Sequence, residues 1–492
     1  MAEEKKKTAI VKRIFGWIWL GLLTLLILAA LVYDAPWKVL ALLLIILAAC
    51  TALPRPARKW FWLSVAPGVV ALIIWVFLPE DNGDWQPYTF DQELAALKAK
   101  YAVPDSENAA IAYNKLFQNH NEVTFYDNLP VEEQQKLPMG ELWLSKDHPK
   151  IAEWLKDQQK TIDTLIEISQ IEKCQFPMMA TLASYEKEFD HRSKLRQYAF
   201  LLVSSANNDI AEDRIDAGLE KWLCLTQMAK HLYQQPTMWD FVVGAAIEAQ
   251  AFKQLKRFMM EGQPSKEQVR LIADSLKNLE NNWSLDFGRF IEYERLLSKN
   301  MLGLWYEINQ KGKTRLSRDP TAAFKALFPQ APIATPTYWR KKLAKASVII
   351  GWFFFPPTPQ KVANIVDATY EKYYAMTDPN FDWSKKPPEV QPQLKLNYRC
   401  IIESLTNMSG QTYSRIHELY LKFLASRRGS RLLVAIKQYQ IENGNWPANL
   451  DAIKSYAPAE SFIDPVSGSQ FEYEKHDSRF SLYGAAGNIW PK

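Results

Sequence analysis

Apolar residues are distributed along this chain in three regimes. The first eighty residues carry long runs with almost no polar interruption. "IFGWIWLGLLTLLILAALVY" (14–33), residues 37–53 ("VLALLLIILAACTAL" with Trp37 before it) and "WFWLSVAPGVVALIIWVFL" (60–78) contain one charged residue between them, Lys38. At 1.5 Å per helical residue, about twenty apolar residues cross the ~30 Å hydrocarbon layer of a bilayer. Three spans are therefore predicted. Trp17, Trp19, Tyr33, Trp37, Trp60, Trp62 and Trp75 fall near the ends of the runs, where amphipathic rings settle among headgroups. A cleaved leader is the competing reading of the first run, but its core is longer than a leader needs and two further runs follow.

From residue 90 the pattern changes to helical period. "FDQELAALKAKY" precedes "VPDSENAAIAYNKLF", where Asp105 or Ser106 is expected to cap a new helix after Pro104. "SKLRQYAFLLVSSA" puts Leu195, Tyr198, Ala199, Leu202 and Ala206 on one face, "NND" reads as a turn, and a second helix resumes with Leu219, Leu223, Met228 and Leu232. A third helix, "MWDFVVGAAIEAQAFKQLKRFM", stops at "EGQPS". Short connections between such helices predict antiparallel hairpins. Proline-rich stretches follow between 312 and 392. Inside them "RKKLAKASVIIGWFFF" (340–355) is too short to span a bilayer, and burial in a core or lodging at the membrane interface both fit it.

The third regime begins near residue 396. "SRIHELYLKFLASRRGSRLLVAIKQYQIENG" has stripes at Ile416, Leu419, Tyr420, Phe423 and at Leu432, Ala435, Ile436, Tyr439, with a break expected at Gly429 and a helix stop at Gly444. Trp446-Pro447 reverses the chain into "ANLDAIKSY". "DPVSGSQFEYE" and "SRFSLYG" then read as two short strands. The fold class expected is mostly α: a membrane anchor (1–78), a large helical extracytoplasmic domain (79–395), and a small module of long helix plus β-hairpin (396–492).

Charge supplies the orientation. The N-terminal tail (Lys5, Lys6, Lys7, Lys12, Arg13) and the second loop (Arg55, Arg58, Lys59) are basic, whereas Glu80, Asp81 and Asp84 follow the third run. The positive-inside bias places the tail in the cytoplasm and residues 79–492 outside it, on a bacterial inner membrane. Residues 1–80 hold nine basic and four acidic side chains, which leaves fifty of each sign in the rest of the chain. A neutral domain argues against a nucleic-acid partner.

Candidate chemistry is sparse. The six histidines are scattered, "HELYL" at 417 lacks the second histidine of a zinc protease helix, and GxSxG, GxxxxGK[ST] and GxGxxG are absent. No cofactor and no metal is expected. The most enzyme-like cluster is "YEKEFDHR", where Glu186 and Asp190 share a helical face with His191 beside them; a solvated charged face is the plainer reading. Cys50, Cys174, Cys224 and Cys400 show no paired spacing, so buried small hydrophobes are expected, with one Cys174–Cys224 bridge left open by an extracytoplasmic location.

Two resemblances follow from these stretches. "AIKQYQIENGNWPANLDAI…DPVSGSQFEYE…FSLYG" resembles the globular part of type II secretion pseudopilins, in which a helix, an Asn-Gly-x-x-Pro turn and an Asp-Pro-x-x-Gly turn precede a hairpin. That family's methylated N-terminal helix and acidic calcium loop have no counterpart here, so the resemblance implies a module fold and leaves polymerisation and calcium binding unsupported. The wider layout, with "PDSENAAIAY" and "LRQYAFLL", resembles a group of uncharacterised bacterial membrane-anchored proteins. It implies a bacterial envelope protein and brings no established activity; the partners expected are the bilayer, from the apolar runs, and another envelope protein. A binding or scaffold role is thus expected, with an envelope hydrolase using the acidic cluster, or a ligand sensor, as alternatives.

Overall fold

The computed structural model describes residues 84–119, 140–178, 190–277, 282–317, 358–383, 410–476 and 479–490. Among them are eleven α-helices and six short strands. In chain order the elements are β1 (Trp85–Pro87), α1 (Asp91–Lys100), α2 (Ala109–Asn119), α3 (Pro149–Asp157), α4 (Gln159–Ser169), α5 (Asp190–Ala211), α6 (Ile215–Tyr233), α7 (Met238–Glu261), α8 (Lys266–Lys277) and α9 (Trp283–Asn300). They continue with β2 (Tyr306–Asn309), β3 (Thr314–Leu316), α10 (Pro359–Tyr374), α11 (Gly410–Asn443), β4 (Glu472–Lys475), β5 (Phe480–Gly484) and β6 (Gly487–Trp490). The mostly helical class is as expected. No helix among the described residues is long and apolar enough to cross a membrane, and the three apolar runs and residues 340–355 lie outside those residues.

The chain forms two compact units. The larger comprises residues 91–297, 372–387 and 410–492. In it α6 packs on α5 and α7, α4 packs on α6 and α2, and α11 lies on α7 and α8. The stripe read on α5 is buried throughout, and on α6 Leu219, Met228 and Leu232 are buried while Leu223 keeps some exposure. The smaller unit comprises residues 1–90, 298–371 and 388–409. Its described part holds the antiparallel sheet β1-β2-β3, with Trp85 opposite Asn309 and Tyr306 opposite Leu316.

Three local expectations fail for identifiable reasons. "NND" is not a turn: α5 runs on to Ala211, because Asn208 satisfies its amide in place, donating to Trp143 O (3.2 Å) and Ser145 Oγ (3.1 Å) and accepting from Arg214 (2.9 Å). The chain turns only at Asp213, which takes φ +63°. Asp105 and Ser106 lie in a single 3-10 turn, and the cap of α2 is Asn108, whose side-chain oxygen accepts from Ala110 N–H at 3.0 Å.

Gly429 does not break α11, which is continuous over 34 residues. A Cβ there would sit 2.8 Å from Ile489 Cγ2, so the glycine admits β6 against the helix. Gly444 does end the helix, at φ +73°. Beyond it "ANLDAIKSY" forms a 3-10 turn at Leu450–Ile453, capped by Asn449, and a second 3-10 turn follows at Ala459–Phe462. The sheet β4-β5-β6 has one strand more than the two expected. Ala425, Leu432, Leu433, Ala435 and Ile436 of α11 form one core with Ile453, Phe462, Phe471, Phe480, Leu482 and Ile489.

Candidate functional site

Glu186 lies outside the described residues, and Asp190 is the first residue of α5. His191 can be followed in detail. It is buried, its ring stacks on Phe176 at 4.3 Å, and its Nε2 lies 2.8 Å from Asp240 Oδ1. Arg192 Nε approaches the same oxygen at 3.5 Å. Asp240 sits in the first turn of α7 behind the cap residue Thr237, whose hydroxyl donates to Asp240 Oδ2 and accepts from Asp240 N–H. An acidic side chain at a helix N-terminus meets unpaired amides and the positive end of the dipole. The partner of His191 is thus a carboxylate 49 residues on, which the local pattern "YEKEFDHR" gives no means of finding.

Phe176 is held in position by amides. Gln235 donates to Cys174 O (2.8 Å) and accepts from Phe176 N–H (2.9 Å). Gln234 accepts from Cys174 N–H (2.6 Å), and Asn108 exchanges bonds with the backbone of Gln175 at 2.8 and 3.0 Å. A connecting segment that buries Cys174, Phe176 and Met178 while Lys173 and Pro177 stay exposed needs such partners for its withdrawn backbone groups.

One turn before this glutamine pair, His231 is fully buried. Its Nε2 lies 2.7 Å from Ile171 O, which only accepts, so Nε2 carries the proton and Nδ1 accepts from the Tyr113 hydroxyl at 3.1 Å. Burial lowers its pKa to about 4 and raises that of Tyr113 well above the usual range, so the pair is neutral. Cys174 and Cys224 are both free and buried, as small hydrophobes. Burial pushes the Cys224 thiol up to about 12 and raises Cys174 as well, which removes the thiolate that nucleophilic work requires.

Two further sites were not anticipated. Arg427 on α11 and Glu248 on α7 form a bidentate pair at 2.9 and 2.8 Å, with side chains 1% and 0% exposed, and Tyr233 donates to Glu248 Oε2 at 2.6 Å. Glu294 on α9 keeps part of its surface exposed. Its carboxyl is pushed up to about 7 by apolar surroundings, against the pull of the Tyr413 hydroxyl donating at 2.9 Å. One turn along α11 from Tyr413, His417 stacks flat on Trp383 at 3.8 Å, and burial lowers it to about 4.

Among the described residues no group of three or more His, Cys, Asp or Glu side chains is arranged to hold a metal ion. The strongest polar clusters there are engaged with one another across helices. Comparison of the chain with family models, curated proteins and solved structures finds no match.

Proposed function

We propose that this chain is a membrane-anchored extracytoplasmic binding or scaffold protein of the bacterial envelope, displaying its pseudopilin-like C-terminal module to a protein partner. The observation that carries this reading is α11. It is a single helix about 50 Å long by its residue count, and it contributes to two packed regions at once. Arg427 joins it to α7 through Glu248, and Arg431 donates to Leu276 O (2.8 Å) at the end of α8. Its later turns supply half of the module core. A module built on a strut fixed by buried ion pairing is presented rigidly, which suits recognition. The apolar runs over 14–78 support the anchor, and the charge asymmetry around them supports the outward orientation.

The test is purification of the full-length protein from its own membranes in mild detergent, with mass spectrometry of stoichiometric companions. The same purification with Val466→Asp and Ser467→Lys, two exposed residues of the turn that follows the buried Asp464, should lose the companion while the fold persists. A protein that emerges alone and monomeric refutes the scaffold reading. The alternative of an envelope hydrolase draws on a different observation, the Glu294 carboxyl titrating near 7, where general acids work. It requires that Glu294→Gln abolish a hydrolytic activity without loss of fold.

A further inference from the structure

The two outer strands of the terminal sheet end differently. β6 lies on α11, where Ile489 packs against Gly429. β4 is the opposite edge of the order β4-β5-β6. His476 N–H donates to Arg479 O at 2.8 Å, which fixes the alternation along the strand: Glu474 and Glu472 turn their backbone groups toward Ser481 and Tyr483 of β5. The N–H and C=O groups of Phe471, Tyr473 and Lys475 therefore point to the outer side. There Phe462 O accepts from Phe471 N–H (3.1 Å) and Ser469 O accepts from Asp464 N–H (2.8 Å), which closes the first part of the edge. Past Phe471 no described segment pairs with the backbone of Tyr473 or Lys475.

This open stretch is held in place from its inner face. Tyr473 donates its hydroxyl to Pro447 O (2.8 Å), and Lys475 Nζ donates to Trp446 O (3.1 Å). On the other face Glu472 and Glu474 are both exposed. An open edge is a template for another strand, and the charges decide which strand fits. A second copy of β4 fits poorly. In an antiparallel pair the outward-pointing residues must face one another. Tyr473 opposite Tyr473 sets Glu472 against Glu474, Tyr473 opposite Lys475 sets Glu474 against itself, and Lys475 opposite Lys475 sets two cations together. Like charges directly opposite are destabilising. A strand with basic side chains two residues apart meets both glutamates on one face instead, and the residue between them covers the half-buried Tyr473 ring.

We infer that the outer edge of β4 is a docking site for an extended segment of a partner protein with Lys or Arg at alternate positions, which adds a fourth strand beside Tyr473 and Lys475. This site deepens the scaffold reading and depends on it. Main-chain bonds to Tyr473 and Lys475 hold the incoming strand, while Glu472 and Glu474 select its charge.

The probe is a fluorescent peptide, Thr-Lys-Val-Lys-Thr, with Thr-Glu-Val-Glu-Thr as its counterpart, titrated into the full-length protein in mild non-ionic detergent. The basic peptide should raise anisotropy and slow hydrogen exchange at the amides of Tyr473 and Lys475, and the acidic one should do neither. Glu472→Lys with Glu474→Lys should exchange the preference. Lys475→Pro removes an outward N–H, which an edge strand tolerates, and should weaken binding at least severalfold with the helical signal kept. Lys475→Ala retains that N–H and should bind as the original does. A basic peptide that does not bind, binding indifferent to the charge exchange, or binding lost equally in Lys475→Ala and Lys475→Pro overturns the β4 site. Should Lys475→Pro lose helical signal, the charge exchange decides alone. Purification of the full-length protein with its companions separates the two levels. A stoichiometric companion beside a failed peptide overturns the β4 site and leaves the scaffold reading standing; a protein that emerges alone overturns the reading on which the site depends.

Discussion

The Arg427–Glu248 pair offers the sharpest energetic prediction. Both side chains are withdrawn from water, so the carboxylate depends on the guanidinium and on the Tyr233 hydroxyl for its solvation. Arg427→Met keeps most of the volume but leaves Glu248 with one donor. Breaking one half of a buried ion pair costs about 3–5 kcal/mol, a large share of the roughly 5–15 kcal/mol that holds a domain folded. Urea denaturation of the full-length protein in detergent, followed by helical circular dichroism, should show a correspondingly lower midpoint. Arg428→Met is the control: the neighbouring guanidinium makes an exposed bond to Ile463 O, and its loss should cost about 1 kcal/mol or less. Removing every polar member together, as Arg427→Met, Glu248→Leu and Tyr233→Phe, should recover stability to within about 2 kcal/mol of the original, because the desolvation penalty goes with the charges. A cost below about 1 kcal/mol for Arg427→Met, or a triple variant no better than the single one, would mean that Glu248 does not depend on the guanidinium for its solvation.

Other consequences are as direct. Gly429→Val places carbon where Ile489 packs, and should cost about 1–3 kcal/mol by overpacking, with partial rescue by Ile489→Ala in the same denaturation assay. His231 is held neutral, with a folded pKa of about 4 against an ordinary 6.5, so its contribution is full above pH 6.5 and is lost as pH falls toward 4, by about 3 kcal/mol in all; a His231→Asn variant, lower in stability at pH 7, should show a shallower decline over that window. Cys174 and Cys224 should resist a maleimide reagent in the folded protein at neutral pH and react fully once urea is added, as mass spectrometry of each peptide would show.

Much of the helical architecture is legible in the apolar stripes. Those of α5 and of the second half of α11 are periodic over several turns, and the glycine at 444 and the stop at "EGQPS" mark ends that the chain respects. What escaped depends on partners distant in sequence. Asn208 looks like a turn former until Trp143, Ser145 and Arg214 are brought to it. Gly429 looks like a helix breaker until Ile489 arrives on it. The hairpin β2–β3 carries a local signal, "YEINQKGKTRL" with glycine in the turn, but its second strand runs directly into proline-rich sequence, which has the composition of a connection. The site was less legible than the fold. Of Glu186, Asp190 and His191, only the histidine has a described environment, and its carboxylate partner comes from a different helix. Buried ionic pairs such as Arg427–Glu248 leave no mark in composition or spacing, because 179 residues separate their members.

The proposed role requires an anchored chain whose helical bundle and terminal module face outward. The measurement that tests this most directly is a pair of fusions to the C-terminus of the full-length protein, one of alkaline phosphatase and one of a fluorescent protein that matures only in the cytoplasm, expressed in a bacterial host. An active phosphatase with a dark fluorescent fusion, both retained in the membrane fraction, is the predicted result. An inactive phosphatase with a bright fluorescent fusion would put residues 79–492 in the cytoplasm and rule out the extracytoplasmic role.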